Sequence, residues 1–482
     1  MIDAYFGENT LVRQHLDSYN QFVESGIQEI IDRVGYIEPN VEGYMLKFGK
    51  VRLEKPMVVE ADGSRRVISP MEARLRDLTY AAPVFLEITP VINGIERRMY
   101  SEVFIGEIPV MTKSKLCHLN GMGKEELIEM GEDPNDPCGY FIINGSERVL
   151  VSVEDLAPNR IMISWEKDGA VTTAKVFSTR FGFRTRCVVE RTTEGVLAIS
   201  FPAAPANLHF ITVLKALGLS AEEVLNSFSS ASKIKSDVLL NLELDECKSK
   251  EEAVEGIGKK AAPGQAKEYR NKRAEILLDT YLLPHLGVDP KDRIAKAYYL
   301  VKMAEKAIQV AYKKIPPDDK DDYSNKRIKL SGNLMEELFR YAFQFLIKDM
   351  AYQVERAAAR GRRLVVQTIV RPDALSERVR YSMATGNWIA GQTGVSQLLD
   401  RTNYLSSVSH LRRLISPLSR KHPHFKARDL HGTHWGKLCP NESPEGPSCA
   451  LVKNMALLCQ ISTGEDERSI EELLKKMDVK IE

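Results

Sequence analysis

Basic side chains and histidines are concentrated between Arg401 and Pro440, and these residue types are suited to binding phosphate groups. The stretch contains one acid, Asp429, and five of the chain's nine histidines. Its cations are Arg401, Arg412, Arg413, Arg420, Lys421, Lys426, Arg428 and Lys437, and its histidines are His410, His422, His424, His431 and His434. The whole chain has a net charge of only +1, so this local excess of cations indicates a polyanionic partner. Each Lys or Arg that binds a phosphate releases a condensed counterion, which favours binding.

Histidines and cysteines in the same region raise the alternative of a zinc site. His431 and His434 are followed by Cys439 and Cys449. Structural zinc sites usually pair their ligands two to four residues apart, whereas these cysteines are ten apart, and Gly432 disfavours a helical pairing of the histidines. Packed or hydrogen-bonded histidines and free thiols are therefore expected, with no metal bound. A small metalloenzyme is kept as an alternative function.

The segment from Asn441 to Pro447 holds two acids three residues apart. Glu442 and Glu445 could act as an acid–base pair, or they could form salt bridges with basic neighbours in a rigid turn. Pro444 and Pro447 fix the backbone angle φ, which suits a loop that keeps one shape. The rigid turn is the favoured interpretation, although a loop that positions groups near a substrate needs the same stiffness.

The length and composition of the chain indicate several domains. With 482 residues, of which 43% are hydrophobic and 28% charged, it is expected to form roughly three domains of an ordinary α/β or α+β protein. No run of apolar residues is long enough to predict a membrane-spanning helix. Seven scattered cysteines without a CxxC pair fit free thiols in the reducing cytoplasm.

Hydrophobic spacing predicts the helices that would carry these residues. Helices are predicted at Leu11–Val34, in a short segment within Arg66–Arg76, at Ser331–Arg360 and at Ser469–Met477. The region from Ser220 to Tyr312 is predicted to be mostly helical, apart from a mobile excursion at Lys248–Arg273, which is rich in Lys, Ala, Gly and Glu.

Turn signals predict the remaining elements. Pro137–Val151 is predicted to be a hairpin because Asn144-Gly145 favours a type I′ turn. Leu364–Val370 is predicted to be a strand, and the acidic, proline-containing segment Ile315–Asp322 is predicted to mark a domain boundary.

A long motif extends from Leu430 to Met455 and reads LHGTHWGKLCPNESPEGPSCALVKNM. It resembles the signature of the second-largest subunit of multisubunit RNA polymerases. Further segments match the family in order along the chain: Leu11–Val23, Ser69–Ala82, Tyr140–Leu150, Asp321–Leu330, Gly394–Arg401 and Leu405–Arg413. The resemblance is weakest between Leu208 and Lys314. Since the family's subunits are much longer than this chain, it is similar to the N-terminal half of the archaeal subunit, which can be encoded as two chains, B″ and B′.

The resemblance implies an α+β, multidomain fold of mixed helices and antiparallel sheets. The implied domains are a protrusion at 1–151 with a return segment at 326–371, a lobe at 152–325, a fork at 372–457 and the start of the external region at 458–482. The protrusion and lobe are expected to form one wall of the DNA cleft. The fork, with a loop at Ser416–Asp429, is expected to reach toward the active centre.

The same resemblance implies a subunit of DNA-dependent RNA polymerase, a nucleotidyltransferase that works with metal ions. No catalytic residue is expected in this chain, and Glu445 is assigned a supporting role. The catalytic Mg²⁺ is expected in the largest subunit, A′, and further active-site groups in B′, so that this chain binds no cofactor and is inactive alone. Template DNA and nascent RNA are expected to contact Gln397, Asn403, His410, Arg412, Arg413, Arg420, Lys421, Lys426 and Arg428. A stand-alone nucleic-acid-binding module is the alternative.

Overall fold

Residues 9–60, 62–96, 101–166, 171–205, 207–462, 467–477 and 479 are described by a computed structural model. The chain divides into two compact units, and the first combines the chain up to Asp155 with the chain from Ile328 onward. The second is the continuous stretch Leu156–Arg327. Helices and predominantly antiparallel sheets occur in both units, which confirms the predicted α+β class. Within the described ranges no helix combines the length and apolar character needed to cross a membrane.

Helices are distributed along the whole chain. In chain order the described α-helices are α1 (Arg13–Gln21), α2 (Ile27–Val34), α3 (Pro70–Leu75), α4 (Lys124–Glu129), α5 (Phe210–Leu217), α6 (Ala221–Ser227), α7 (Ser232–Glu243), α8 (Lys250–Ala261), α9 (Lys267–Ile276), α10 (Arg293–Ala311), α11 (Ser331–Ala359), α12 (Val366–Ile369), α13 (Asp373–Thr385), α14 (Tyr404–Leu411), α15 (Phe425–Arg428) and α16 (Glu467–Lys476). The predicted tail helix and the short helix within Arg66–Arg76 are thereby confirmed. A π-helical turn, Phe22–Gly26, joins α1 to α2, so the predicted Leu11–Val34 helix is also confirmed.

Strands form separate sheets within the two units. In chain order the described strands are β1 (Tyr36–Ile37), β2 (Tyr44–Leu53), β3 (Met57–Val59), β4 (Arg65–Val67), β5 (Ala81–Ile92), β6 (Ile95–Glu96), β7 (Ser101–Pro109), β8 (Phe141–Ile143), β9 (Ser146–Leu150), β10 (Ser152–Leu156), β11 (Met162–Glu166), β12 (Val171–Arg180), β13 (Phe183–Arg191), β14 (Leu197–Ser200), β15 (Leu208–His209), β16 (Lys326–Lys329), β17 (Ser396–Leu398), β18 (Arg413–Ile415) and β19 (Val452–Asn454). In the first unit β1, β2, β5 and β6 follow one another in a sheet, and β7 also pairs with β5.

The long helix α11 runs through the core of the first unit. Its buried residues recur every three or four positions, as in Leu338, Ala342 and Leu346, so one face of the helix is covered. The helix ends as predicted at Gly361, whose φ of +61° is readily available to glycine, and the amides of Gly361 and Arg362 bind the last carbonyls. The predicted helix Ser331–Arg360 is confirmed to within one residue.

The helix α11 begins in close contact with α1. The amide of Gly332 donates to Ser18 Oγ at 2.6 Å. A Cβ atom added at Gly332 would lie 1.9 Å from the carbonyl oxygen of Ser18, so a residue without a side chain is required at this crossing.

The predicted hairpin is confirmed, and it carries part of the candidate site. Strands β8 and β9 are joined by Asn144 and Gly145, whose φ values of +48° and +73° are those of a type I′ turn. Strand β17 pairs antiparallel with β9, with Gln397 opposite Val149. The hairpin therefore fixes the position of the segment that contains Gln397.

A second sheet of the first unit positions Arg413. Strand β18 lies between β10 and β19, with Leu414 opposite Ser152 and Arg413 opposite Asn454. The β10–β18 pair is parallel, which departs from the antiparallel sheets that the resemblance implied. The paired residues are more than 200 positions apart in the chain, and parallel strands need a crossover connection instead of a tight turn.

The second unit combines a sheet with a cluster of helices. Strands β11 to β15 form an antiparallel sheet in sequential order, against which α10 packs. The prediction of a mobile excursion at Lys248–Arg273 is wrong, because this segment folds into α8 and α9, which pack against each other. Val254 and Ile257 are buried, and Gly258 allows a close approach, since an added Cβ would lie 2.7 Å from the carbonyl oxygen of Arg270.

Two further predictions need correction. The predicted strand Leu364–Val370 is wrong, because Val366–Ile369 is a short helix whose two terminal residues are both buried. Ile315–Asp322 contains no helix or strand, but it lies inside the second unit, and the units separate at Arg327 instead. The predicted domain limits and the names protrusion, lobe and fork stay predictions.

Candidate nucleic-acid interface

A pocket of about 510 Å³ in the first unit is lined by residues from distant parts of the sequence. Gln397 comes from β17, Arg413 from β18 and Arg420 from the loop that follows. Glu445 comes from the proline-rich turn, residues 441–450. These four side chains were predicted as site residues, and strand pairing brings them together. The pocket combines hydrogen-bonding groups with charges of both signs.

His410 supports this pocket from within the protein. It is 4% exposed, its Nδ1 accepts from the amide of Asp400 at 3.1 Å, and its Nε2 lies 3.0 Å from Gln397 Oε1. Because Nδ1 accepts, the hydrogen is on Nε2, which donates to Gln397. Burial, with a smaller contribution from the positive charge of Arg413, lowers the pKa of His410 to about 4. His410 is therefore a neutral residue that orients Gln397.

Asn403 caps the helix that leads to Arg413. Its Oδ1 accepts from the amide of Ser406 at 2.8 Å, and its own amide donates to Ser406 Oγ at 3.0 Å. Such reciprocal bonds satisfy groups at a helix start that have no partner within the helix. The side chain of Asn403 is thus engaged at the start of α14.

Arg412 lies inside the first unit. It is 4% exposed, and its guanidinium donates to the carbonyl oxygens of Leu11 at 2.9 Å and Ala456 at 2.7 Å. Longer bonds reach the carbonyls of Leu457 and Cys459, both at 3.3 Å. The side chain therefore ties separate segments together, and its position differs from that of an exposed phosphate contact.

Arg428 connects the cationic loop, residues 416–429, to the proline-rich turn. Its Nε donates to the carbonyl of Pro423 at 2.8 Å, its Nη1 to Cys449 at 2.6 Å and its Nη2 to Pro447 at 3.0 Å. Ser443 Oγ stiffens the same turn by accepting from Ala450 and donating to Val452. Loop and turn are thus held in one arrangement by side-chain bonds to the backbone.

The remaining predicted cations are accessible. Arg420, Lys421 and Lys426 are exposed and Arg413 is half-buried. In the part of the chain that the structure describes, none of the four forms an ion pair with a carboxylate. No described carboxylate is therefore close enough to any of the four to form an ion pair, and two carboxylates, Glu442 and Glu445, line the same pocket as Arg413 and Arg420.

Other arginines of the basic regions are paired. Arg401 bridges Asp136 and Glu147 above the ring of Tyr140, and Arg371 pairs with Asp349. The charges of these two arginines are therefore already compensated within the fold. Arg413, Arg420, Lys421 and Lys426 differ from these paired arginines because, among the described residues, no carboxylate forms an ion pair with them.

Sequence reasoning missed a hydrogen-bonded polar group in the wall of the pocket. Asn454 Nδ2 donates to Ser409 Oγ at 2.9 Å and to Glu442 Oε1 at 2.8 Å, and Ser409 also donates to Glu442. Glu442 therefore binds neutral partners instead of the predicted basic neighbours. The position of Asn454 near the end of the Leu430–Met455 motif was the available signal, but the motif does not reveal its partners.

The histidines of the zinc alternative are hydrogen-bonded. His431 Nδ1 lies 2.7 Å from Thr433 Oγ1, and His434, which is 8% exposed, accepts from the amide of His431. Among the described residues no three His, Cys, Asp or Glu side chains are grouped so that they could hold a metal. All seven cysteines are free thiols.

Comparisons with known proteins agree with the motif. A family model described as RNA polymerase beta subunit matches residues 10–377, and one described as RNA polymerase Rpb2, domain 3, matches residues 397–461. The DNA-directed RNA polymerase subunit Rpo2N of Methanocaldococcus jannaschii is 51% identical, over 100% of this chain and 99% of that protein. The Rpo2N subunit of Halobacterium salinarum is 47% identical, over 99% of this chain and 95% of that protein.

A longer relative matches this chain over part of its own length. The DNA-directed RNA polymerase subunit Rpo2 of Saccharolobus solfataricus is 48% identical over 99% of this chain, which covers 43% of that protein. The resemblance based on the Leu430–Met455 motif is thereby confirmed. The chain belongs to the RNA polymerase beta-subunit family, it is similar to the N-terminal half of the archaeal second subunit, and it is a subunit of DNA-directed RNA polymerase.

Proposed function

We propose that this subunit forms part of one wall of the DNA cleft and, through residues 372–457, the fork beside the active centre. In this proposal the cationic loop and Arg413 contact the phosphates of template DNA and of the RNA–DNA hybrid. Contacts to phosphates suit a polymerase, because they carry no sequence information and a transcribing enzyme has to accept every sequence.

The observation that carries the proposal is the set of uncompensated cations on a braced loop. Arg413 and Arg420 line one pocket, and Lys421 and Lys426 are exposed nearby in the sequence. The bonds of Arg428 hold the loop against the proline-rich turn, so the cations are presented without a large loss of conformational freedom on binding. Gln397, oriented by His410, adds a neutral hydrogen-bonding group to the pocket.

The catalytic Mg²⁺ is proposed to be held by the largest subunit, A′, with further active-site groups in B′. The described residues of this chain include no cluster of carboxylates that fits a metal ion, so no step of nucleotidyl transfer is assigned to them. Glu445 lies in the pocket with Arg413 and Arg420, and it is proposed to support the placement of these cations. The isolated chain is therefore proposed to be inactive.

Removing one cation at a time from the reconstituted polymerase tests the phosphate contacts. Arg413→Ala and Arg420→Ala should each weaken the elongation complex by about 1.5 kcal/mol, or roughly tenfold. The slope of log K against log salt concentration should fall by about 0.9 for each cation removed from a phosphate. The measurement is the lifetime of stalled elongation complexes over a series of salt concentrations.

Two matched variants control for a general loss of charge. Arg65 is exposed on β4 of the first unit, and Lys250 begins α8 of the second unit. Arg65→Ala and Lys250→Ala should leave both the lifetime and the salt slope unchanged. Equal effects of Arg413→Ala and Lys250→Ala would contradict the placement of the contacts. Purification of the native chain from its source as a monomer, without other polymerase subunits, would favour the stand-alone nucleic-acid-binding module.

A further inference from the structure

His15 lies where three distant segments of the first unit meet. Its side chain is 1% exposed, its Nε2 is 2.6 Å from the carbonyl oxygen of Leu411, and its Nδ1 is 2.5 Å from Ser331 Oγ. These partners belong to the end of α14 and to the start of α11, while His15 itself is part of α1. One imidazole ring thus joins three helices.

The partners of His15 define its protonation. A carbonyl oxygen can only accept a hydrogen bond, so Nε2 carries the hydrogen and donates to Leu411, while Nδ1 accepts from the Ser331 hydroxyl. Burial lowers the pKa of His15 to about 4, which is consistent with a neutral ring. The carbonyl of Leu411 is among the last of α14 and has no partner within the helix, so His15 satisfies the end of this helix.

Arg412 closes the same junction from the other side. Its guanidinium binds the carbonyl of Leu11, two residues before α1, and its own carbonyl accepts from the amide of Met455. The junction between α14 and β18 is therefore held by the N-terminal segment and by the residues that follow β19. Arg413, the next residue, begins β18 and lines the pocket.

We propose that His15 is a positioning residue for the cationic pocket. By donating to the carbonyl of Leu411 it fixes the end of α14, and hence the point from which Arg413 extends toward nucleic acid. This inference rests on the proposed function, because the placement of Arg413 matters to the enzyme only if Arg413 contacts a phosphate.

Two amide substitutions separate the two hydrogen bonds of His15. In His15→Gln the longer amide can place its nitrogen near the former Nε2 and donate to Leu411. In His15→Asn the shorter amide can reach Ser331 but not Leu411. In the reconstituted polymerase His15→Gln should retain the elongation-complex lifetime to within about twofold, whereas His15→Asn should approach the roughly tenfold loss expected for Arg413→Ala.

A double-mutant cycle distinguishes positioning from a general loss of stability. If His15 acts through Arg413, His15→Asn with Arg413→Ala should be no weaker than Arg413→Ala alone, and each single variant should lower the salt slope by about 0.9. A general destabilisation would leave the slope unchanged and would multiply the two losses. Ser331→Ala, which keeps the donor to Leu411, should resemble the wild type and serves as the matched control.

The outcomes separate the two proposals. If Arg413→Ala itself has no effect on lifetime or slope, the proposed function fails. The positioning role is overturned, and the phosphate contact stands, in two cases in which Arg413→Ala has its expected effect. In the first, His15→Asn and His15→Gln both match the wild type. In the second, the losses of lifetime caused by His15→Asn and Arg413→Ala multiply in the double variant. If His15→Asn prevents assembly, His15→Met, which fills the buried space but cannot donate to Leu411, is measured in its place: a salt slope lowered by about 0.9 supports the role of the Leu411 bond, and a wild-type slope contradicts it.

Discussion

The buried ion pair between Lys453 and Glu154 should be required for the sheet beneath the pocket. Lys453 Nζ lies 2.9 Å and 3.1 Å from the two carboxylate oxygens of Glu154, and the side chains are 9% and 3% exposed. The two residues stand on β19 and β10, on either side of β18. The pair therefore links the outer strands of the β10–β18–β19 arrangement across the strand that carries Arg413.

The expected cost follows from this burial. Replacing one partner leaves a charge in the interior with its main counter-charge removed, which typically destabilises a protein by about 3–5 kcal/mol. Lys453→Met should lower the free energy of unfolding of the first unit by this amount. Glu154→Leu combined with Lys453→Met should recover most of the loss, because no buried charge remains.

Tryptophan fluorescence can report on the first unit alone. Trp388 is 5% exposed in the core of this unit, whereas Trp165 belongs to the second unit and Trp435 is 92% exposed. A Trp165→Phe background would therefore give a urea transition dominated by Trp388. Following one unit matters because two units need not unfold in a single transition.

The matched control is the exposed pair of Lys47 and Glu96. Its side chains are 58% and 51% exposed, and such surface pairs contribute little to stability because water screens them. Lys47→Met should hardly change the transition. A Lys453→Met variant that is no less stable than Lys47→Met would refute the reasoning from burial.

Further predictions concern helix packing and pH. Gly256→Ala should stabilise the second unit by up to about 1 kcal/mol, because the site is helical and an added Cβ meets only Cys247 Sγ at 3.7 Å. Gly258→Ala, two residues later, should destabilise the second unit, since the Cβ would lie 2.7 Å from the carbonyl oxygen of Arg270. If urea unfolding showed that both substitutions change the free energy of unfolding in the same direction, the packing of α8 on α9 would be contradicted. His15 has a folded pKa of about 4, below its ordinary value of 6.5, so the unfolded chain binds the extra proton. The neutral ring of His15 thus contributes about 3 kcal/mol to the free energy of unfolding above pH 6.5, and this contribution is lost as the pH falls toward 4. His15→Gln should flatten that part of the curve of unfolding free energy against pH.

Elements with strong local signals could be predicted from the sequence. Asn144-Gly145 supplies the positive φ angles of a type I′ turn, and the spacing of apolar residues in α11, together with Gly361 at its end, is a local property of the chain. The family resemblance likewise placed Gln397, Arg413, Arg420 and Glu445 among the site residues, and the fold brings them to one pocket.

Features that depend on distant partners could not be predicted. The carbonyl that binds Arg412 belongs to Leu11, about 400 positions earlier, and Arg428 is occupied by carbonyls of the proline-rich turn. The sequence alone does not distinguish a basic residue that binds a phosphate from one that binds a backbone carbonyl. The prediction for residues 248–273 was wrong for a related reason: their few apolar side chains become buried where α8 packs against α9 and α5.

The parallel pairing of β10 with β18 has a consequence for biosynthesis. Ser152 lies opposite Leu414, and the whole second unit is encoded between them. A ribosome that adds about 5–20 residues per second needs roughly 10–50 s to translate the interval of roughly 260 codons. The second unit is continuous and can be completed during that time, while the first waits for α11, α14 and β18. Apolar residues of the first unit's core thus stay exposed on the nascent chain for tens of seconds. At this stage the chain has the greatest need of molecular chaperones.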